Sequence, residues 1–415
     1  MSKKVWWIVI IASLGYFVDI YDLILFQVVK KDSLRSLGIT AEKELFQWET
    51  YLFNFQMIGM LIGGLLWGIL GDRKGRIKVL FGSIIVYSLA NICNAFVTNV
   101  ESYAFFRLIA GIGLAGELGA GITLVVETMQ KEKRGYGTMI IVTFGALGAV
   151  VASLVGKEGD HIAHAFNLNM QGWQVTYIVG GILGLLLLAL RAGAYESGMY
   201  KGLETVNTKR GNFAMLFTKK NFPKYLRCIL IGLPIWFVVG ILIAFSDKFA
   251  AYVGITDGAV TVGKSVMYSY IGLSVGDLFS GLFSQWFRSR VKVVTGYILC
   301  LALAFIYYIH MSGVSIDMFY FMCFVLGAST GFWALFVTIA SEQFGTNIRS
   351  TVSNTVPNFV RGATVPMTMG FRKLTEEFGI YPAAIIIGTI AISLSLYGIL
   401  KTQETFSKDL DYLEE

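Results

Sequence analysis

Six ionisable side chains interrupt stretches of this sequence that are otherwise apolar: Asp19, Asp22, Arg107, Glu117, Asp277 and Arg361. In a hydrocarbon setting each costs about 3 kcal/mol even on a lenient insertion scale, so each needs a partner, a wet cavity or a task. Asp19 and Asp22 lie one helical turn apart and share a face, and two neighbouring carboxylates are suited to taking up a proton. Glu117 follows Arg107 by ten residues on nearly the same face and is the second candidate for that role. A guanidinium can grip a carboxylate with two parallel hydrogen bonds, and Arg361 is the first candidate for such an anion anchor. The alternative for Arg361 is an ion pair with Asp277. Asp22 and Arg107 sit at similar depth, roughly 7–10 Å to the outer side of the midplane at 1.5 Å per residue. Uncharged side chains that could line a cavity beside them are Tyr16, Tyr21, Gln27, Asn54, Gln56, Trp236, Trp333 and Asn358. The competing role for each aromatic is simple packing against core or lipid.

These residues must be carried by membrane-crossing helices. The chain has 415 residues, 55% hydrophobic and only 15% charged, with a mean hydropathy of +0.65. Soluble domains carry about 25% charged residues, and a helix crossing a bilayer needs about 20 apolar residues. Apolar runs predict spans near 6–29, 50–70, 78–97, 103–126, 136–156 and 173–190, then 226–246, 262–287, 291–311, 316–339, 350–372 and 381–400. This is an all-α membrane protein with twelve transmembrane helices in two six-helix bundles, residues 1–190 and 226–415, joined by a polar, basic connector over 191–225. Twenty-three of the 34 Lys and Arg fall on one side if both termini are cytoplasmic, nine on the other, and Arg107 and Arg361 within spans. Positive charge gathers on the cytoplasmic side, so both termini are expected there. The basic pI near 9.0 then reflects topology, and no nucleic acid is expected as a partner. Two aspartates in the first apolar run argue for a retained span rather than a cleaved signal. The four cysteines are dispersed and the three histidines scattered, so neither a metal site nor a cofactor is expected. Without a clustered nucleophile and base, an enzyme is the least favoured class.

An internal repeat appears at an offset of 215 residues. Glu127 and Arg134 match Glu342 and Arg349, Gly116 matches Gly331, and Arg73 matches Arg288. The charged members fall at cytoplasmic helix ends and are candidate gates; their competing role is snorkelling at the interface. Arg107 and Arg361 have no charged mates at that offset, where Met322 and Ala146 stand.

Between the second and third spans runs Gly68-Ile-Leu-Gly-Asp72-Arg73-Lys74-Gly75-Arg76-Ile-Lys78-Val-Leu80. It resembles the loop signature of the major facilitator superfamily. Independently of any family, Gly75 permits a tight turn, and Asp72 can hold ion pairs or a helix N-terminus that break when the protein changes shape. Arg107-Leu-Ile-Ala-Gly111-Ile-Gly113-Leu-Ala-Gly116-Glu117-Leu-Gly119, followed by Glu127 and Lys131-Glu-Lys-Arg134-Gly135, is similar to the fourth helix of sugar porters and metabolite:proton symporters. Gly172-Trp173, Arg191 and Glu196-Ser197 fit the same families, and Asp19-Ile-Tyr21-Asp22 resembles an element of aromatic-acid and sialic-acid proton symporters. The chain departs from sugar porters in lacking Gln in span seven and a Pro-Glu-Ser-Pro-Arg form after span six. It also lacks the Gly-Pro element of drug antiporters in span five.

The resemblance implies a monomeric secondary transporter of the plasma or bacterial inner membrane, whose halves rock about a midplane site. It implies proton-coupled uptake of a small organic anion, and, with helices one and four lining the central cavity, a pairing of Asp22 with Arg107, whose competing role is a static pair pinning the two helices. Export of a metabolite, siderophore or amphiphile is the alternative, and a transporter-like receptor a further one. Gating falls to Asp72, Arg73, Arg76, Glu127, Arg134, Arg288, Glu342 and Arg349, and substrate contact to Arg361, Arg107, Tyr21, Gln27, Asn54, Trp236, Trp333 and Asn358.

Overall fold

The computed structural model describes residues 3–130, 133–191, 211–255, 257–409 and 411–414. Lys131, Glu132, Glu196, Ser197 and most of the connector between the halves lie outside them. Among the described residues the fold is helical, with no strand. The first half comprises α1 (Lys3–Ser36), α2 (Glu42–Lys74), α3 (Arg76–Asn94), a fourth crossing made of α4 (Val100–Leu114) and α5 (Glu117–Thr128), then α6 (Arg134–Ala165) and α7 (Gly172–Leu190). The second half opens with α8 (Phe222–Phe237), which runs into a π-helical turn (Val238–Ile243) and the short α9 (Ser246–Val253). It continues with α10 (Val262–Trp286), α11 (Arg290–His310), α12 (Ile316–Ser329) with α13 (Trp333–Glu342), α14 (Arg349–Gly362) with α15 (Thr364–Phe378), and α16 (Ile380–Leu400).

Eleven of these segments are long and apolar enough to cross a membrane. The twelfth crossing, α14 with α15, fails that test because its inner half is polar. Ser350, Thr351, Ser353, Asn354, Thr355 and Asn358 are all buried, which only a helix enclosed by protein tolerates. Its break at Ala363 follows from Pro366, whose ring clashes with the carbonyl four residues back, at Gly362. The repeat is visible in the backbone as well as in the sequence. Gly116 and Gly331 both stand at breaks, between α4 and α5 and between α12 and α13, and Arg134 and Arg349 each open a helix. The two halves meet where α2 packs on α14 and α6 on α10.

Several helices outrun their apolar cores. Apolarity ends the first span near residue 29, yet α1 continues to Ser36, and α2 begins at Glu42 rather than near 50. Those polar extensions carry the outer contacts between the halves.

Candidate functional site

At the centre of the molecule α14 presents Arg361 to α1 of the other half. Arg361 Nη2 lies 3.8 Å from Asp19 Oδ2, and Nη1 donates to Asn358 Oδ1 at 3.2 Å. The guanidinium sits 5.8 Å from the Trp236 ring and 5.4 Å from the Trp333 ring. Arg361 Nε and Nη2 and both Asp19 oxygens lack a hydrogen-bond partner. Tyr16, Ile20, Trp236, Tyr270 and Trp333 enclose, with Arg361, a free volume of about 20 Å³. That is room for about one water, so an organic molecule fits only when the walls part. Chemically the place is an aromatic box with an underused guanidinium, suited to a carboxylate attached to a flat apolar body.

Asp277 is not the partner of Arg361. Its Oδ1 accepts the Ala334 N–H at 3.0 Å, holding the N-terminus that the break before α13 creates. Asn358 Nδ2 donates to Ala115 O at 2.8 Å, tying α14 to the α4–α5 break. Arg107 donates to Gln56 Oε1 and to the Tyr177 hydroxyl at 3.5 Å, and lies 4.7 Å from the Phe26 ring. No ion pair joins it to Asp22 among the described residues. Asp22 is fully buried in the first half, beside Asn91. Tyr21 turns away from the central box, its hydroxyl donating to Thr176 O at 2.9 Å. Gln27 is buried outside the residues that line the box, and Asn54 Oδ1 accepts the Thr368 hydroxyl at 2.9 Å across the halves.

One end of the molecule, that of Asp72 and Glu127, is closed by contacts between the halves. Asp72 accepts from Ser350 N at 3.0 Å, Thr351 N at 2.8 Å and the Thr351 hydroxyl at 2.7 Å. It therefore caps α14 from the opposite half. Glu127 Oε1 takes Arg76 of its own half at 2.8 Å and Arg349 of the other at 3.3 Å. Arg134 reaches Val126 O at 2.8 Å and Lys408 O at 3.2 Å. Glu342 is held by Arg290 at 2.7 Å. Arg73 and Arg288 are exposed, so the buried member of each loop is instead Arg76 and Arg290.

The opposite end is closed too. Lys30 Nζ donates to Ala244 O at 2.8 Å and pairs with Glu49 at 3.1 Å, while Lys31 pairs with Asp247 at 2.5 Å. Burial pushes the Asp247 carboxyl up, but Lys30, Lys31 and Lys248 outweigh it and hold the group below the usual carboxylate range.

The sequence matches the family model for the Major Facilitator Superfamily over residues 11–365. The chain belongs to this superfamily. The facilitator is 25% identical over 403 residues to a protein named a putative niacin/nicotinamide transporter of Bacillus subtilis, covering 92% of this chain and 93% of the relative. It is 31% identical over 140 residues to the 3-(3-hydroxy-phenyl)propionate transporter of Escherichia coli, covering 34% of this chain and 32% of that one. Its fold follows a solved proton:xylose symporter, XylE, with a TM-score of 0.73 at 17% identity over 99% of this chain and 98% of that one. It is a multi-pass membrane transporter of small molecules and not an enzyme.

Sequence reasoning missed four participants in this facilitator. Arg290 lies one residue off the 215-residue register, and Lys30 and Lys31 were counted as loop charges. Arg191, noted only as a family feature, is fully buried: it forms a two-pronged pair with Glu117, one bond at 2.9 Å. Gly15 on α1 is what leaves space for this pair, since a Cβ there would land on both the Arg191 guanidinium and the Glu117 carboxylate. Gly15→Ala is expected to destabilise the protein by about 1–3 kcal/mol, as overpacking does, and to lower its melting temperature in detergent. Gly121→Ala, whose methyl would meet only Ala12 at 3.6 Å, should leave the melting temperature near that of the wild type.

Proposed function

We propose that this facilitator takes up a small carboxylate-bearing organic acid, preferably with a planar aromatic body, together with protons by alternating access. The observation that supports this most is Arg361, set between two tryptophan rings with donors unfilled and a lone carboxylate, Asp19, 3.8 Å away. A substrate carboxylate would replace Asp19 on the guanidinium. Asp19 or Asp22 then takes the accompanying proton, which avoids leaving an extra unpaired anion in the core. The relatives named for niacin and hydroxyphenylpropionate transport fit such a substrate. The protein works as a monomer, with both termini cytoplasmic and the gates at each end opening in turn. A monoanion and one proton cross as an electroneutral complex on which the membrane potential does no work, so the pH gradient drives accumulation, about tenfold per pH unit.

The test is uptake by proteoliposomes under an inward proton gradient, with labelled nicotinate, benzoate, a dicarboxylate, a hexose and a cationic drug. The expected result is accumulation of an aromatic acid that collapses with a protonophore and is abolished in Asp22→Asn. Accumulation that survives the protonophore would remove proton coupling. Loss of preloaded acid as protons enter would reverse the direction to export.

A further inference from the structure

The outer closure differs in chemistry from the inner one. On the inside, acids of one half hold a helix end and an arginine of the other. On the outside, lysines of α1 are held by a carbonyl and a carboxylate of the segment around α9. The carbonyl is available for a local reason. Where the π-helical turn gives way to α9, the Lys248 N–H bonds to Phe245 O and the Ala244 carbonyl takes Lys30 instead.

The two lysines are not equivalent. Lys30 is buried and doubly held, by Ala244 O and Glu49, with the Phe245 ring 4.8 Å from its ammonium. Lys31 has one partner, Asp247, and its side chain is 31% exposed. Lys248 stands beside them, 4.6 Å from the Phe46 ring. Lys30, Lys31 and Lys248 all act on Asp247, and Asp32 joins Glu49 and Glu42 among the acids around Lys31. The exposed Glu42 nearby is taken by Arg35 at 3.4 Å. The closure contains, in Asp247, a carboxylate that can part from its lysine when the halves part.

Resting on the reading of an organic anion as cargo, we propose that Lys31 is the first receptor for the substrate's carboxylate at the outer mouth. Asp247 occupies that receptor whenever the outer side is shut. Opening exchanges the internal carboxylate for the substrate's, and closing returns Asp247 to Lys31 and drives the acid inward toward Arg361. An internal competitor of this kind keeps the lysine from leaving an unpaired charge in the closed form.

The arrangement is testable because the two sides of one ion pair should respond with opposite signs. Right-side-out proteoliposomes would be assayed for uptake of labelled benzoate and nicotinate by the wild type, Lys31→Gln and Asp247→Asn, at low and high ionic strength. Lys31→Gln is expected to raise KM about five- to tenfold, with the loss falling on KM rather than on the maximal rate. Asp247→Asn is expected to lower KM about two- to fivefold. Salt should raise the wild-type KM and do so less in Lys31→Gln, because screening acts on the exposed charge that the variant lacks. A plain latch predicts instead that both variants, which break the same contact, move KM in the same direction. That result, or an unchanged KM in Lys31→Gln, overturns the proposal while the uptake reading stands. Absence of acid uptake by the wild type would end both.

Discussion

Arg361→Ala is expected to lower kcat/KM for the transported acid at least about 100-fold, a loss of roughly 3 kcal/mol. Two effects combine. The substrate loses a charge-assisted, two-pronged contact, and Asp19 loses the cation 3.8 Å away in a wall where nothing else hydrogen-bonds to it. Breaking a buried pair by removing one member typically costs about 3–5 kcal/mol. Arg361→Lys keeps the charge but not the planar fork, so a smaller loss of about tenfold is expected, mainly in KM. Uptake of labelled acid by proteoliposomes measures both, with size-exclusion profiles in detergent as the check on folding. If Arg361→Ala transported at the wild-type KM, the anchor would have to lie elsewhere, and Arg107 would be next. That arginine starts at a disadvantage, since Gln56 and Tyr177 already take its donors.

The second large effect is expected at the inner closure. In Asp72→Ala the N–H groups of Ser350 and Thr351 and the Thr351 hydroxyl lose their acceptor while remaining buried. In the inward-open form water would satisfy the same groups. The penalty therefore falls on the closed form alone, and at about 3–5 kcal/mol it shifts the population toward inward-open by at least 100-fold. A cysteine reporter detects this. In a background without Cys93, Cys228, Cys300 and Cys323, Thr355→Cys places a thiol on the buried face of α14. Adding Asp72→Ala should speed its labelling by a membrane-impermeant reagent from the cytoplasmic side about 100-fold, and slow net uptake. Unchanged labelling would mean that Glu127–Arg349 and its neighbours hold the closure without Asp72.

Which charges matter was legible in the sequence, because an ionisable residue in an apolar run is expensive and stands out. Asp19, Asp22, Arg107, Glu117, Asp277 and Arg361 are all buried. Who pairs with whom was not legible. Arg361 meets Asp19 rather than Asp277, and Glu117 meets Arg191 rather than serving alone, because pairing depends on how helices far apart in sequence are rotated and crossed. Asp277 could not be assigned from sequence since its partner is a backbone N–H, exposed only because α12 and α13 separate at Thr330–Phe332. Tyr21 illustrates the same limit, sharing a helix with Asp19 and Asp22 but facing α7.

The gates divide in the same way. The Asp72 motif could be read as a helix-terminus binder from its residues, and the repeat located Glu127, Arg349, Glu342 and Arg134. The repeat also paired Arg73 with Arg288, and both are exposed; the buried places go to Arg76 and to Arg290, which stands one residue off the offset.

By itself the sequence determined a twelve-crossing helical membrane protein built from two related halves, with charges reserved for its interior. Hydrocarbon demands apolar runs of fixed length and makes every exception conspicuous. Only the tertiary structure decided the aromatic box around Arg361, the cap of Asp72 on α14 and the outer closure of Lys30 and Lys31. Apolarity marks where a helix meets lipid and ends its count there. The contacts that join the two halves at each end lie in helix extensions and backbone breaks, whose partners are chosen by packing between the halves.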